Sequence, residues 1–334
     1  MSVRIADLAD DPPAWSGTLL VARGSDRAEW GPTDERYQAG SISKHLMSVV
    51  VLSLVGRGVL DLDAPIARWV PTLPAHLGPV TLRQLLSQTS GIGHWGQIPG
   101  LPPLLEVPPP RDELVAMVVS APPTSAPGER WRYSSPAFLV VALVVEAATG
   151  SGYSDLVTEI VLGPAAMTST TSGRSPLGDP SVAVGHRDGQ VLEPHPAFAA
   201  LPGSGDLWTT TEDLLRYSRA LRGGALLRPD LASQLWQQHA PMEQADAVER
   251  PTAAWAYGFG TFLGRVLGQD AWFVPGDNPG YQSLLAYLPA TDTDVVVLSN
   301  EESGVDTVLG HLTLRWTSSA RMTMIDLCPH PPAS

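Results

Sequence analysis

Two residues three positions apart carry the first chemical signal in this chain. Ser41 and Lys44 stand in Gly40-Ser41-Ile42-Ser43-Lys44. On a helix, positions i and i+3 share a face, so the hydroxyl and the amine can meet. S-x-x-K is a nucleophile spacing of serine acyl enzymes. The chain holds 21 Lys plus Arg, and Lys44 is the one Lys among them. Arg stays protonated, whereas a Lys can lose its proton when buried or set beside another cation. A lone Lys therefore marks a position that needs a titratable nitrogen. The same residues also read as an ordinary helix start. Ser is a favoured N-cap, and an S-x-x-K arises on the order of once by chance in a chain this long. The residues that follow weigh against an exposed start. Leu46, Met47, Val49, Val50, Val51, Leu52, Leu54 and Val55 leave almost no polar face, so the helix is expected to be buried.

Other elements must position that pair. Residues 17–30 read as a hairpin with a turn at Gly24-Ser25. Thr81 to Gly91 reads as a short helix with Thr81 as cap. Gly91-Ile92-Gly93-His94-Trp95-Gly96 matches G-x-G-x-x-G, but a helix precedes it and Pro-rich sequence follows. That is the wrong context for a dinucleotide fingerprint. Residues 99–127 are rich in Pro and hold a short helix around Asp112–Val119. Tyr133 then precedes an apolar helix with Ser135 as cap, Pro136 at its first turn and Gly150 past its end. A half-buried structural aromatic is the ordinary reading of such a Tyr. Thr209 or Thr210 opens a further helix, and Trp208 beside the glycines at 203 and 205 is either a core residue or a pocket wall. Strands are expected at 256–263, 271–274, 282–288 and 293–300, then a closing helix over 301–319.

Strands at both ends and helices between them predict an α+β fold. Its mostly antiparallel sheet is built from N- and C-terminal segments and flanked by helices. Residues 1–60 and 201–334 form that mixed α/β sheet domain, and 61–200 form a mainly helical, all-helical inserted domain. The site is expected at their junction.

Bulk properties narrow the function. With 34 Asp plus Glu, the formal net charge of −13 argues against nucleic acid and anionic membranes as partners. Cys328 is the only cysteine, so no intrachain disulfide is available, which fits a reducing compartment. The N-terminal segment lacks an apolar signal-type stretch, and the apolar runs at 46–55 and 137–145 are too short to span a bilayer. A cytoplasmic location is the expectation. No G-x-S-x-G elbow and no H-E-x-x-H occur, and the eight His are scattered, so neither a metal nor a cofactor is expected.

As an ordered set these motifs resemble the serine β-lactamase and penicillin-binding-protein-like superfamily, on its class C and esterase side. Gly40 to Lys44 resembles the first motif, and Thr81 to Gly91 resembles its T-x-x-x-L-L-x-x-T-S-G segment. Tyr133-Ser134-Ser135 resembles the Y-x-N motif. Gly203 to Asp213 resembles the Gly-rich segment, and Asn278-Pro279-Gly280-Tyr281 resembles the stretch after the third motif. Two positions depart from the pattern. Ser135 stands in place of Asn. The third motif, ordinarily Lys or His, then any residue, then Gly, reads Val274-Pro275-Gly276. The cation that would hold a substrate carboxylate is absent, which argues against penicillins as substrates.

The resemblance implies Ser41 as nucleophile, with Lys44 and Tyr133 as candidate bases. It implies an oxyanion hole at the backbone N–H groups of Ser41 and Asp277, and substrate contacts at Ser135, Val274 and Gly276. His94, Trp95 and Trp208 are expected to shape an apolar pocket. The expected reaction is acyl transfer from a small-molecule acyl donor through acyl-Ser41. Water as acceptor gives an esterase or amidase; an amine or alcohol gives a transacylase. The alternative is a non-catalytic ligand-binding or sensor member of the same fold.

Overall fold

The computed structural model describes residues 5, 13–101, 109–174, 178–192, 201–242 and 252–325, with side chains as far as Arg315. Cys328, most of the N-terminal segment and part of the Pro-rich stretch lie outside the described residues.

The alternation read at the two ends of the chain meets in one eight-stranded antiparallel sheet. Strand β1 (Gly17–Arg23) turns at Gly24, whose φ is +55°, into β2 (Asp26–Trp30). Its other edge pairs with β12 (Thr293–Ser299), in register from Gly17 opposite Ser299 to Arg23 opposite Thr293. From β12 the sheet continues through β11 (Tyr281–Leu288), β10 (Gln269–Asn278), β9 (Phe262–Val266), β8 (Thr252–Tyr257) and β7 (Ala240–Pro241). The apolar run expected as one strand over 256–263 is instead a hairpin. Gly258 N–H donates to the Thr261 carbonyl, and Gly260 takes φ +66°. A Cβ at Gly260 would stand 2.7 Å from the Lys44 carbonyl oxygen, so this turn presses on the helix that carries Lys44.

That helix, α1 (Ile42–Gly56), is buried from Ile42 through Leu52 and again at Leu54. It lies against one sheet face, where Trp272, Val274, Leu285, Val296 and Leu298 belong to the same apolar cluster as its own side chains. Burying each of its Val or Leu side chains contributes about 1.5–3 kcal/mol. The cluster continues into α4 (Pro136–Thr149), which Gly150 ends in the left-handed conformation at φ +73°. Its cap differs from the expectation. Ser135 makes no side-chain cap; the Ser134 hydroxyl accepts the Ala137 N–H at 3.1 Å instead. The opposite sheet face is covered by α8 (Gly304–Ile325) through Val305, Val308, Leu309 and Leu312.

Residues 61–200 contain α2 (Leu82–Leu86), α3 (Arg111–Ser120), α4 and α5 (Tyr153–Val157). They also contain a hairpin of β4 (Gly185–Arg187) and β5 (Gln190–Leu192), so this segment is not all-helical. The turn uses Asp188 and Gly189, both at positive φ, as the favoured two-residue hairpin turn requires. Two short strands, β3 (Tyr37–Gln38) and β6 (Trp208–Thr209), pair beside the start of α1. Helices α6 (Thr211–Arg222) and α7 (Pro229–Trp236) follow, and the Thr210 hydroxyl caps α6. No single helix among the described residues is long and apolar enough to cross a membrane.

Candidate active site

Gly40 decides how the start of α1 meets the sheet. Its φ is +52°, and a Cβ there would lie 2.8 Å from the Asp277 backbone nitrogen. Only a residue without that atom lets the Ser41 and Asp277 amides come this close. The first amides of a helix have no partner within it, and among the described residues Ser41 N–H has no protein acceptor.

Three side chains then converge. Lys44 Nζ lies 2.8 Å from Ser41 Oγ, and Tyr133 OH lies 2.7 Å from the same oxygen. Lys44 also donates to the Ser204 carbonyl at 2.7 Å, and its ammonium stands 5.2 Å from the Tyr133 ring centre. Lys44 is 1% exposed. Burial pulls its amine below the ordinary lysine value; Tyr133 and Asp206 act in the opposite direction.

A cavity of about 470 Å³ opens over Ser41. Its aromatic wall holds Tyr133 stacked on Phe262 at 6.3 Å and His94 edge-on to Tyr133 at 5.8 Å. Ser135 N–H donates to His94 Nδ1 at 3.1 Å. Burial, then the charge of Lys44, lowers the His94 pKa. A neutral ring accepting at Nδ1 carries its proton on Nε2. The Ser204 hydroxyl donates to the Ser135 carbonyl at 3.1 Å, tying the Gly-rich segment to the Tyr133 stretch. At the rim, Asp277 is pushed up by burial and by Glu302.

Of the residues expected at the site, Ser41, His94, Trp95, Tyr133, Ser135, Gly276 and Asp277 line this cavity, and Lys44 lies beneath Ser41. Two do not line it. Val274 is 2% exposed, with its side chain in the apolar cluster under α1. Trp208 is 1% exposed and sits edge-on to Tyr281 at 5.4 Å, because its strand is sealed against β3. Sequence reasoning missed Trp131 and Phe262 as walls. Trp131 lies inside the stretch that carries Tyr133, which was its only signal; Phe262 looked like any strand aromatic. Among the described residues, no three His, Cys, Asp or Glu side chains gather into a metal-binding group.

The family model for Beta-lactamase matches residues 3–316. Esterase EstB of Burkholderia gladioli is 34% identical over 173 residues, 45% of this chain and 43% of the esterase. The chain thus spans less than half of that relative's length. The putative penicillin-binding protein PbpX of Bacillus subtilis is 23% identical over 302 residues, 86% of this chain and 71% of its own. Among solved structures, the D-amino acid amidase of Ochrobactrum anthropi complexed with L-phenylalanine superposes with a TM-score of 0.79. Its identity is 20%, over 95% of this chain and 98% of the amidase, a likeness of fold. Together, the motifs in their order, the sheet with the helix of Ser41 lying on it, and a family match over nearly the whole length place this chain in the beta-lactamase family.

Proposed function

We propose that the chain is a serine hydrolase that forms an acyl-Ser41 intermediate from neutral esters or amides. One observation carries this reading: Ser41 Oγ lies within hydrogen-bond reach of both Lys44 Nζ and Tyr133 OH, at the floor of an open cavity. An unassisted Ser hydroxyl is a weak nucleophile. Lys44 and Tyr133 both reach Ser41 Oγ, and a group within that reach can take its proton. In the Lys44⁺/Tyr133⁻ form, Tyr133 takes the Ser41 proton as Oγ bonds to the acyl carbon. The negative charge that develops on the carbonyl oxygen faces the amides of Ser41 and Asp277. Tyr133 then gives the proton to the leaving alcohol or amine as its bond to carbon breaks. Water repeats the cycle, and the acid product leaves with Ser41 restored.

The substrate class follows from charge. Asp277 is the one charged side chain among the described residues that line the cavity, and Val274 stands where the third motif has its cation. Aromatic walls and no lining cation favour apolar, uncharged acyl groups over carboxylate-bearing ones. The esterase and amidase among the similar proteins support ester and amide cleavage. Transfer to an added amine or alcohol is the second fate open to the same intermediate. The test is release of p-nitrophenol from p-nitrophenyl butyrate. Ser41→Ala is expected to lower the rate by about a thousand-fold or more. A Ser41→Ala protein as fast as wild type would overturn the assignment.

A further inference from the structure

Behind Lys44 lies a carboxylate that the mechanism above does not use. Asp206 is 0% exposed, an environment in which an unpaired carboxylate is strongly disfavoured. It is not orphaned. It accepts the Gly203 N–H at 2.8 Å and the Ser172 hydroxyl at 2.5 Å. The Gly203 bond closes a tight turn, Gly203-Ser204-Gly205-Asp206, around the carboxylate. That turn presents the Ser204 carbonyl to Lys44 Nζ at 2.7 Å and the Ser204 hydroxyl to Ser135. Gly203 takes φ +64° there, packed over Met47 of α1. One acid thus shapes the loop that holds the ammonium, while its charge lies close enough to act on that ammonium.

We propose that Asp206 is a positioning residue and buried counter-charge for Lys44, favouring the ammonium form and leaving Tyr133 as the proton acceptor for Ser41. This rests on the acyl-Ser41 reading for its consequence, but not for its test. The groups around Asp206 are consistent with it. Lys44 comes from α1 and Tyr153 from α5. Burial lowers the Lys44 pKa overall, Tyr133 and then Asp206 pull it back toward the charged form, and the Tyr153 hydroxyl is held neutral by burial and by the same carboxylate. His94 faces Lys44 from the cavity side and is held neutral. Burial raises Asp206 itself to about 6, against the pull of its hydrogen bonds, so above that pH it is charged.

The chain provides its own probe. Because Lys44 is the only lysine, feeding ¹³Cε-lysine to the untagged full chain labels one site, and its chemical shift reads the Lys44 titration directly. Asp206→Asn keeps an acceptor for Gly203 N–H and removes the charge. It is expected to lower the Lys44 midpoint by about one pH unit. It is also expected to move the alkaline limb of ester turnover, where Lys44 loses its proton, to lower pH in parallel. Ser172→Ala takes one donor from the carboxylate but leaves its charge in place at high pH, so its lysine midpoint is expected to stay close to that of wild type. A folded Asp206→Asn protein whose lysine midpoint matches wild type overturns the proposal. So does a Ser172→Ala protein whose midpoint falls as far as that of Asp206→Asn, and, should Asp206→Asn fail to fold, a folded Asp206→Ser protein with an unmoved midpoint. Failure of the acyl-Ser41 reading would appear elsewhere, as wild-type protein without ester turnover but with the lysine midpoint still shifted by the Asn substitution.

Discussion

At the scale of single residues, one hydroxyl, that of Ser41, is shared by an amine and a phenol. The Tyr133 ring stacks on Phe262 and its oxygen reaches Ser41. Tyr133→Phe therefore keeps the packing and removes the proton carrier. Ester turnover is expected to fall by about 10²–10⁴-fold with an unchanged thermal midpoint, measured by steady-state rates beside circular dichroism melting. Asp206 adds a stability signature. Its folded-state pKa of about 6 lies above the ordinary carboxylate value, so the folded state binds the proton more tightly than the unfolded chain does. The stability this contributes is fully present below about pH 4 and is lost as pH rises through about 6. Wild type is expected to lose urea resistance relative to Asp206→Asn between those pH values, by roughly 3 kcal/mol. Parallel curves for the two proteins would contradict it. Ser41 and Lys44 were legible as neighbours because residue type and spacing carry them, whereas Tyr133 came beside them only through the family resemblance. Asp206 was not, since a lone acid in a Gly-rich loop looks the same whether buried or solvated.

At the scale of elements, the site depends on how closely α1 approaches β10. Gly40→Ala places a Cβ 2.8 Å from the Asp277 nitrogen, in a conformation that L residues rarely adopt. The expected cost is about 1–3 kcal/mol of stability and a further loss of turnover as the two amides part. Urea unfolding and ester kinetics on one preparation separate the two effects. Restoring a cation at the third motif is not expected to restore the family's carboxylate binding. Val274 points into the cluster beneath α1, so Val274→Lys buries an ammonium and is expected to destabilise the fold by roughly 2–4 kcal/mol, read as a lowered urea midpoint. The helices α1 and α4 were legible from their apolar runs and the glycine past the end of α4, and α2 from its cap, where Thr81 closes a full capping box with Gln84. The hairpin at Gly258–Thr261 was not. Its apolar flanks hid a turn that exists because the chain folds back against α1, a tertiary cause. The β4–β5 hairpin did carry an Asp-Gly turn signal, which the loop-like composition around it masked.

At the scale of the whole molecule, chain ends that are far apart in sequence make one sheet, and the middle of the chain supplies Tyr133 and His94 to a cavity beside β9 and β10. That architecture was legible because strands cluster at both ends of the sequence. The cavity walls were only partly so. Pocket membership depends on which face of a strand or loop points outward, and for Trp208 and Val274 the sealed pairing of short strands and the packing of α1 decide it. A net charge of −13 and Asp277 at the rim bias the approach of substrates. A carboxylate-bearing aryl ester is expected to show a kcat/KM about tenfold or more below that of its neutral isostere, with the gap narrowing as salt is added. Intact-protein mass spectrometry shows whether acyl-Ser41 forms. Wild type and Ser41→Ala are mixed with a reactive neutral acyl ester, quenched in acid within a turnover and weighed. A single acyl increment is expected on wild type, mapping to Ser41, and none on Ser41→Ala. Ester consumption with no increment on wild type at any quench time, or the same increment on Ser41→Ala, would contradict it.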